Sequence, residues 1–354
     1  MPEKRSAIVT GSSRGIGEAI VRRLARDGYH VCVNDVSANQ EGIDKLVKDL
    51  NSTHGDGSAI GVAADVTKSS EVEKMIEESV QKLGPLTIMI ANAGIAKVKP
   101  ILEVSDEDAR QIFDVNYFGV WNCYTRAAKQ MIKQGPVAEG TTGYKIIGCA
   151  SIVAFKPFPI LTDYSASKWA VRGLTQGFAM EMSKHKIQVN AYAPGIVGTA
   201  MWELIDQKLG EIEGRPIGET VKKYSQELTA MGRVSTPDDV ARVVGGFLCG
   251  SDSDFVTGQT IVNTIVSAAD LLVTLASYIG LSKVKMCMRR QCPTCDKATW
   301  VGCGQHIPMV MDSISESDWC TCNPKTVVDG KEYPPKMGQG KRSDAAKVGV
   351  GYED

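Results

Sequence analysis

An excess of charge of either sign is the first thing this chain lacks. Its 354 residues carry 40 Lys and Arg against 41 Asp and Glu, a net charge of −1. Without a basic surplus there is no field to draw in nucleic acid or an anionic membrane, and neither is expected as a partner. Long hydrophobic runs are missing too. No stretch reaches the ~18 uncharged apolar residues of a membrane-spanning helix. The opening MPEKRSAIVTG has no apolar segment of the secretory kind, so a cytoplasmic protein is expected. Cysteine is sparse through residues 1–286, where Cys32, Cys123, Cys149 and Cys249 lie far apart in apolar settings and read as reduced core residues. The other six crowd between Cys287 and Cys322. A composition of 43% apolar and 23% charged residues is that of a globular protein, and the length suits one large domain or two.

What is present begins with a phenol. Tyr164 and Lys168 form a Tyr-x-x-x-Lys, and Ser151 stands 13 residues upstream of the tyrosine. If Tyr164 opens a helix, the spacing stacks the two side chains one turn apart on one face. A phenol is a poor base at its ordinary pKa of about 10. A fixed ammonium beside it favours the phenolate and lowers that value, which makes it a usable proton donor and acceptor near neutral pH. A serine hydroxyl nearby can hold a substrate oxygen against the phenol. Together they can move a proton on or off an alcohol or carbonyl while a hydride moves at carbon. Alone, the same spacing describes any exposed tyrosine near a lysine, so the rest of the chain decides.

Residues 6–10 are a short apolar β-type run. Gly11, Ser13, Arg14, Gly15, Ile16 and Gly17 belong to the turn GSSRGIG that follows, and EAIVRRLARDG reads as an amphipathic helix ended by Gly28. Glycines between a strand and a helix allow a tight turn and a close approach of backbone to a pyrophosphate, which the helix N-terminus attracts. A second strand, HVCVND, ends at Asp35, 18 residues after Gly17. A carboxylate there suits ribose hydroxyls and repels a 2′-phosphate, favouring NAD over NADP. Arg14 pulls the other way, and capping the next turn is the plain structural use of such an aspartate. Asp65 and Val66 end a third strand, where Asp65 either accepts from an adenine amino group or caps the helix near Ser69. Asn92, Ala93 and Gly94 close a fourth with small residues that let backbone run beside a cofactor.

A long helix from Asp106 to Gly135 carries Asn116 in its middle. A buried asparagine there needs partners or a bend around a water. YKIIGCAS delivers Ser151. IQVNAYAP leads into Pro194, Gly195, Val197 and Thr199 on the side where ligands gather, and the segment from Met201 is amphipathic and long for a connection, as a substrate lid is. A later helix is capped near Thr236 with Pro237 in its first turn, and SDFVTGQTIV reads as the last strand. Strand and helix alternate throughout, so an α/β fold with a doubly wound parallel sheet is expected.

TGSSRGIG, Asp65-Val66, Asn92-Ala93-Gly94, Asn116, the Ser151/Tyr164/Lys168 set and PGIVGT come in an order that resembles the short-chain dehydrogenase/reductase family over residues 5–262. The resemblance implies a Rossmann-type fold in residues 1–262 and an NAD(P)H cofactor. It implies Ser151, Tyr164, Lys168 and Asn116 as catalytic residues. It also implies a homodimer or homotetramer built partly on the helices bearing Asn116 and Tyr164. Within the family, YSASKWAVRGLTQ and PGIVGTAMWELID are similar to the diacetyl/acetoin reductases, also called 2,3-butanediol dehydrogenases. Polyol dehydrogenases share pieces of the second stretch. The implied substrate is a small ketone or vicinal diol.

The family pattern breaks after TGQ. Where Asp-Gly-Gly is usual, TIVNTIVSAADLL follows, and residues 263–285 read as an apolar helix-like connection containing Asp270. From Met286 the composition changes. Cys292-x-x-Cys295, Cys303-x-x-His306 and Cys320-x-Cys322 have metal-ligand spacings, and Cys292, Cys295, Cys303 and His306 make a candidate zinc set. Residues 286–324 resemble small uncharacterised Cys-rich proteins that begin with a similar Met-Cys. They read either as a metal module or as a neighbouring reading frame joined on. Residues 325–354, rich in Lys, Gly and Asp, read as a disordered tail. Two function classes stand: an NAD-dependent oxidoreductase of small ketones, diols or polyols, and a cofactor-binding or zinc-linked interaction protein whose chemistry the altered ending has silenced.

Overall fold

The computed structural model describes residues 5–137, 143–229, 231–263, 288–301, 307–312 and 314–341. The chain divides into two compact units, Met1–Leu272 and Val273–Asp354.

The first unit is built on a seven-stranded sheet. Its strands are β1 (Ser6–Val9), β2 (His30–Asp35), β3 (Ala59–Ala63), β4 (Leu86–Ala91), β5 (Tyr144–Cys149), β6 (Ile187–Ala193) and β7 (Thr260–Val262). All pair parallel, in the order β3-β2-β1-β4-β5-β6-β7. The chain starts mid-sheet, winds outward to β3, then crosses to β4 on the other side of β1 and winds away. That reversal opens a crevice at the carboxyl ends of β1 and β4.

The helices are α1 (Gly15–Arg26), α2 (Gln40–His54), α3 (Ser69–Leu83), α4 (Asp106–Phe113), α5 (Gly119–Gln134), α6 (Thr162–Met182), α7 (Ala200–Glu213), α8 (Glu219–Leu228) and α9 (Pro237–Ala241). Alternate residues of each strand face opposite sides of a sheet. Ala7, Val9, Val31, Val33, Ile88 and Ile90 therefore pack with α1, α2 and α9, while Ile8, Cys32, Met89 and Ile146 pack with α3, α5 and α6. The doubly wound expectation holds. Each fully buried aliphatic side chain contributes roughly 1.5–3 kcal/mol relative to exposure, so this two-sided core is where the unit's stability resides.

One detail differs from the sequence reading. The expected single helix from Asp106 to Gly135 is interrupted by a π-helical stretch, Asp114–Phe118, with Asn116 at its centre. Asn116 spends both ends of its amide on another segment, as described below, and the widened turn is how the helix accommodates it. The last strand forms despite the missing Asp-Gly-Gly, with Ala191 paired to Thr260 and Ala193 to Val262. The helix-like connection expected at 263–285 lies, from 264 on, outside the described residues.

In the second unit β8 (Met288–Gln291) pairs antiparallel with β9 (Ala298–Val301), and β10 (Thr326–Val328) with β11 (Lys331–Tyr333). Asp329 and Gly330, at φ 49° and 80°, make the tight turn of the second hairpin, the conformation an Asp-Gly pair favours. Ala298, Trp300, Ile307, Met311, Trp319 and Tyr333 form a small buried core, with Trp319 and Tyr333 stacked at 5.3 Å. Residues 325–341 are thus ordered, where composition alone suggested disorder: a two-strand pairing and one buried tyrosine outweigh the polar average. Residues 342–354 lie outside the described residues. Among the described residues no helix is long and apolar enough to cross a membrane.

Candidate active site

The crevice predicted by the strand order is a cleft of about 1070 Å³ at the carboxyl end of the sheet. Its floor begins where β1 ends. Gly11 has φ 59°, and a Cβ there would lie 2.8 Å from Ala93 Cα. A Cβ at Gly17 would collide with the Gly11 carbonyl oxygen. No larger residue fits either place, so the turn passes tightly under the cleft and delivers α1 to it. Arg14 occupies the N-cap without a side-chain cap bond, which leaves the first-turn N–H groups of α1 to whatever lies in front of them. Thr10 Oγ1 accepts from the backbone N–H of Asn92 (3.0 Å) and Ala93 (3.1 Å), and the Asn92 amide donates to the Thr10 and Gly11 carbonyls at 2.8 and 2.9 Å. Tyr192 donates to Asn92 Oδ1 at 2.7 Å. The ends of β1, β4 and β6 are thereby tied into one frame.

Asp35 lies on the cleft wall. Its Oδ2 accepts from the Ser13 hydroxyl at 2.6 Å, and its Oδ1 from the Val36 N–H and the Asn39 amide at 2.9 and 2.8 Å. Ser13 itself does not line the cleft; it orients Asp35. Asp65 and Val66 do line it, and Asp65 Oδ1 also accepts from the Thr67 N–H and hydroxyl at 3.0 and 2.8 Å, so it caps that turn. Arg14, Gly15, Ile16, Asn92, Ala93, Gly94, Pro194, Gly195, Val197 and Thr199 are also on the wall.

Ser151, Tyr164 and Lys168 meet at the far end of the same cleft. Ser151 follows β5, and its Oγ accepts from the Val153 N–H at 3.4 Å. Tyr164 and Lys168 sit one turn apart in α6, both buried, with Lys168 Nζ 5.6 Å from the tyrosine ring centre. Lys168 Nζ donates to the Cys149 carbonyl at 2.8 Å. Burial pushes the Tyr164 phenol well above its ordinary value, and a hydrogen bond with Ser151 acts in the opposite direction. Burial likewise pulls Lys168 down. The sequence reading had the ammonium lowering the phenol; here desolvation is the larger influence, because both groups sit in the interior.

Asn116 is fully buried and is not on the cleft wall. Its Oδ1 accepts from the Ile95 N–H and its Nδ2 donates to the Ile95 carbonyl, both at 2.9 Å, with a further bond to Ser167 Oγ at 3.1 Å. It braces the 92–95 loop against α6. A Cβ on Gly94 would lie 3.2 Å from Asn116 Oδ1 and 3.4 Å from Lys168 Nζ, so one small space separates the two groups.

Around Tyr164 the wall is apolar. Val98, Val153, Leu161, Ile205 and Leu209 are buried with it, and Phe158, Met201 and Trp202 pack alongside. Trp202 Nε1 donates to the Gly195 carbonyl at 3.3 Å, which fastens the start of α7 to the loop after β6. The lid pattern in the sequence pointed to Met201 and Trp202. Phe158 and Leu161 were missed, having no spacing signal of their own, as were Asn39 and Thr67 on the opposite wall. Ile160 sits among them at φ 59°, a left-handed position that is strained for a β-branched residue.

Of the sequence-derived metal set, Cys292 and Cys295 are brought together, but with Cys320 and Cys322. Cys303 and His306 lie outside the described residues.

Residues 5–210 match the family model described as short chain dehydrogenase, and residues 286–329 match a domain of unknown function, DUF8730. The chain is 44% identical over 256 residues to the L-2,3-butanediol dehydrogenase of Corynebacterium glutamicum, covering 72% of this chain and 95% of that one. It is 36% identical over 259 residues to an (S)-acetoin-forming diacetyl reductase of Staphylococcus epidermidis, covering 73% and 96%. Among solved structures, the 3-ketoacyl-(acyl-carrier-protein) reductase of Brucella melitensis complexed with NADH superposes with a TM-score of 0.63 at 28% identity, covering 75% of this chain and 98% of that one.

Proposed function

The chain belongs to the short-chain dehydrogenase family and is an oxidoreductase, and from that premise we propose that it interconverts a small ketone of the diacetyl or acetoin kind with its alcohol, using NAD(H). The observation that carries this reading is Tyr164. It is a buried phenol on the wall of a large cleft, in contact with Ser151 and one helical turn from Lys168, with apolar residues around it.

The opposite end of the cleft fits a dinucleotide. The glycine turn leaves a cradle that a Cβ at Gly11 or Gly17 would fill. The first-turn amides of α1 would hold a pyrophosphate. Asp35 would take ribose hydroxyls and disfavour a 2′-phosphate, which supports NAD over NADP. Lys168 would hydrogen-bond ribose hydroxyls as well as act on Tyr164. When bound, the nicotinamide supplies or takes the hydride.

The protein's own residues manage the proton. In reduction Tyr164 gives its phenolic proton to the carbonyl oxygen as that oxygen gains negative charge. Ser151 donates a hydrogen bond to the same oxygen and holds it against the phenol. In oxidation the phenolate takes the hydroxyl proton back. Asn116 positions the 92–95 loop and the α6 turn below Lys168. Phe158, Trp202 and Ile205 keep water from the reacting carbon and suit a short uncharged substrate. The altered ending removes none of these groups, since among the described residues those lining the cleft lie between Gly11 and Ile205. A second copy of the chain as partner is supported by the exposed Phe118, Trp121, Trp169 and Met180 on the π stretch, α5 and α6.

The test is a spectrophotometric assay of the purified chain with NADH and diacetyl or acetoin. Turnover is expected. No turnover across small diketones, hydroxyketones and polyols, with either cofactor, would refute the reading.

A further inference from the structure

Among the described residues, the second unit holds four thiols that the proposed hydride chemistry does not use. The turn between β8 and β9 is Cys-Pro-Thr-Cys-Asp, closed by the Cys292 N–H on the Lys297 carbonyl and the Asp296 N–H on the Cys292 carbonyl, both at 2.9 Å. Later in the chain Cys320-Thr-Cys322 returns alongside β9, with the Cys320 N–H donating to the Ala298 carbonyl at 2.7 Å. The result places Cys295 Sγ 3.3 Å from Cys320 Sγ and Cys292 Sγ 3.9 Å from Cys322 Sγ, and all four sulfurs lie within 4.8 Å of one another. All four are free thiols. A disulfide would need sulfurs about 2.05 Å apart. A tetrahedral zinc with Zn–S bonds of about 2.3 Å sets sulfur–sulfur edges of about 3.8 Å, in the middle of the observed range.

The surroundings of Cys292 and Cys295 suit thiolates. Backbone N–H groups of Thr294 and Cys295 hydrogen-bond to the Cys292 sulfur, those of Lys297 and Thr321 to Cys295, and that of Cys322 to Cys320. Several amides aimed at sulfur compensate the negative charge that a tetrathiolate site carries. Lys325, whose ammonium donates to the Cys320 carbonyl at 2.8 Å, adds a positive charge beside it. The cluster is also closed over. A Cβ on Gly340 would lie 2.6 Å from Cys322 Cβ and 2.8 Å from Pro335 Cγ, and Asn323 and Lys341 exchange backbone bonds at 3.0 and 2.8 Å. The segment after β11 therefore packs directly on Cys322. Among the described residues the unit's apolar core is six side chains, and a core of that size seldom holds a small unit folded without a staple.

We propose that Cys292, Cys295, Cys320 and Cys322 bind one zinc ion in a closed tetrahedral site, and that this ion holds the second unit folded. The four thiols release their protons to water as the ion binds. With four protein ligands no coordination position is left for a substrate, so the site is structural. A tetrahedral set of four sulfurs in a closed site is the coordination that structural zinc takes.

The experiment is elemental analysis of the full-length chain, purified without added metal. One zinc per chain is expected. Cys320→Ser and Cys322→Ser should lose it, while Cys303→Ser and His306→Ala should keep it. Because loss of zinc and loss of fold coincide in a ligand variant, the cobalt(II) form of the unmutated chain supplies a second readout: strong sulfur-to-cobalt charge-transfer absorption of a four-sulfur site. The proposal is overturned by zinc retained in Cys320→Ser, by zinc lost in Cys303→Ser or His306→Ala, by iron in place of zinc, by a cobalt spectrum showing nitrogen ligation, or by a metal-free chain whose intact mass is lighter by four hydrogens, which would mean two disulfides.

Discussion

Cys32, Cys123 and Cys249 of the first unit each lie buried among apolar side chains, and burial pushes their thiols up, to about 12 for Cys32 and Cys123. Cys292, Cys295, Cys320 and Cys322 of the second unit lie sulfur to sulfur under a lattice of backbone amides. The same side chain is a small hydrophobe in one unit and a ligand in the other, and the size of the core decides which. A sheet with a buried core on each face lets the first unit spend thiols as filler. Two short hairpins cannot do that, and their thiols are gathered instead. A cysteine's role is therefore read from its neighbours and not from its burial, since both sets are mostly buried.

The contrast breaks first, and by the largest margin, at Tyr164. Tyr164→Phe keeps the ring and its packing but removes the transferable proton. A loss in kcat on the order of 10²–10⁴-fold is expected, with cofactor affinity little changed and metal content at its unmutated level. Steady-state kinetics, a cofactor titration and elemental analysis on one preparation check all three. Activity within tenfold of the unmutated chain would sink the assignment.

Asp35 sharpens the comparison inside the first unit. Asp35→Asn keeps the side chain's shape and its bonds from Val36 and Asn39 while removing its charge. The ratio of kcat/KM for NADH over NADPH should fall about tenfold, equivalent to about 1.4 kcal/mol. An unmutated chain that uses both cofactors equally would mean that Arg14 offsets the carboxylate.

The phenol gives a pH dependence whose sign follows from burial. Its pKa is raised, so at neutral pH the neutral phenol predominates. Ketone reduction, which consumes that proton, should be flat through neutrality and fall only in alkali. Alcohol oxidation, which needs the phenolate, should climb about tenfold per pH unit until the phenol titrates. A fall in oxidation rate between neutral and mildly alkaline pH would contradict it.

These sites were unequally legible in the sequence. The glycine turn and the Tyr164–Lys168 pair depend on local spacing, and local spacing survives folding. The π-helical turn at Asn116 exists because Ile95 offers a backbone N–H and C=O to one amide, a partnership across 21 positions that no periodicity contains. The direction of the Tyr164 shift was also hidden: charge proximity can be read from the sequence, but burial of both partners cannot. Cys303 and His306 entered the candidate zinc set on their Cys-x-x-His spacing. Among the described residues the fold gathers Cys320 and Cys322, more than two dozen positions away, through β9. The hairpin at Asp329-Gly330 shows the converse. Its turn was present in the sequence and was outvoted by a polar average over residues 325–354.

The smallest effect expected is also the strictest test of the contrast. Removing the metal from the second unit should leave the reductase kcat/KM within about twofold, the size of effect usual between independent sites. Among the described residues, those lining the cleft lie between Gly11 and Ile205, and the four thiols begin at Cys292. The proposed hydride transfer draws only on groups of the first unit, and a closed tetrathiolate site has no position at which to take part. Chelation should nevertheless register strongly elsewhere. Trp300 and Trp319 are buried in the second unit, so its unfolding should shift tryptophan emission to the red while NADH turnover continues. The two signals on one sample separate the possibilities. A red shift with full turnover means that two stabilities coexist on one chain. Turnover lost in step with emission means that the metal-held unit supports the enzyme, and the division drawn between the two uses of cysteine would then describe one cooperative protein.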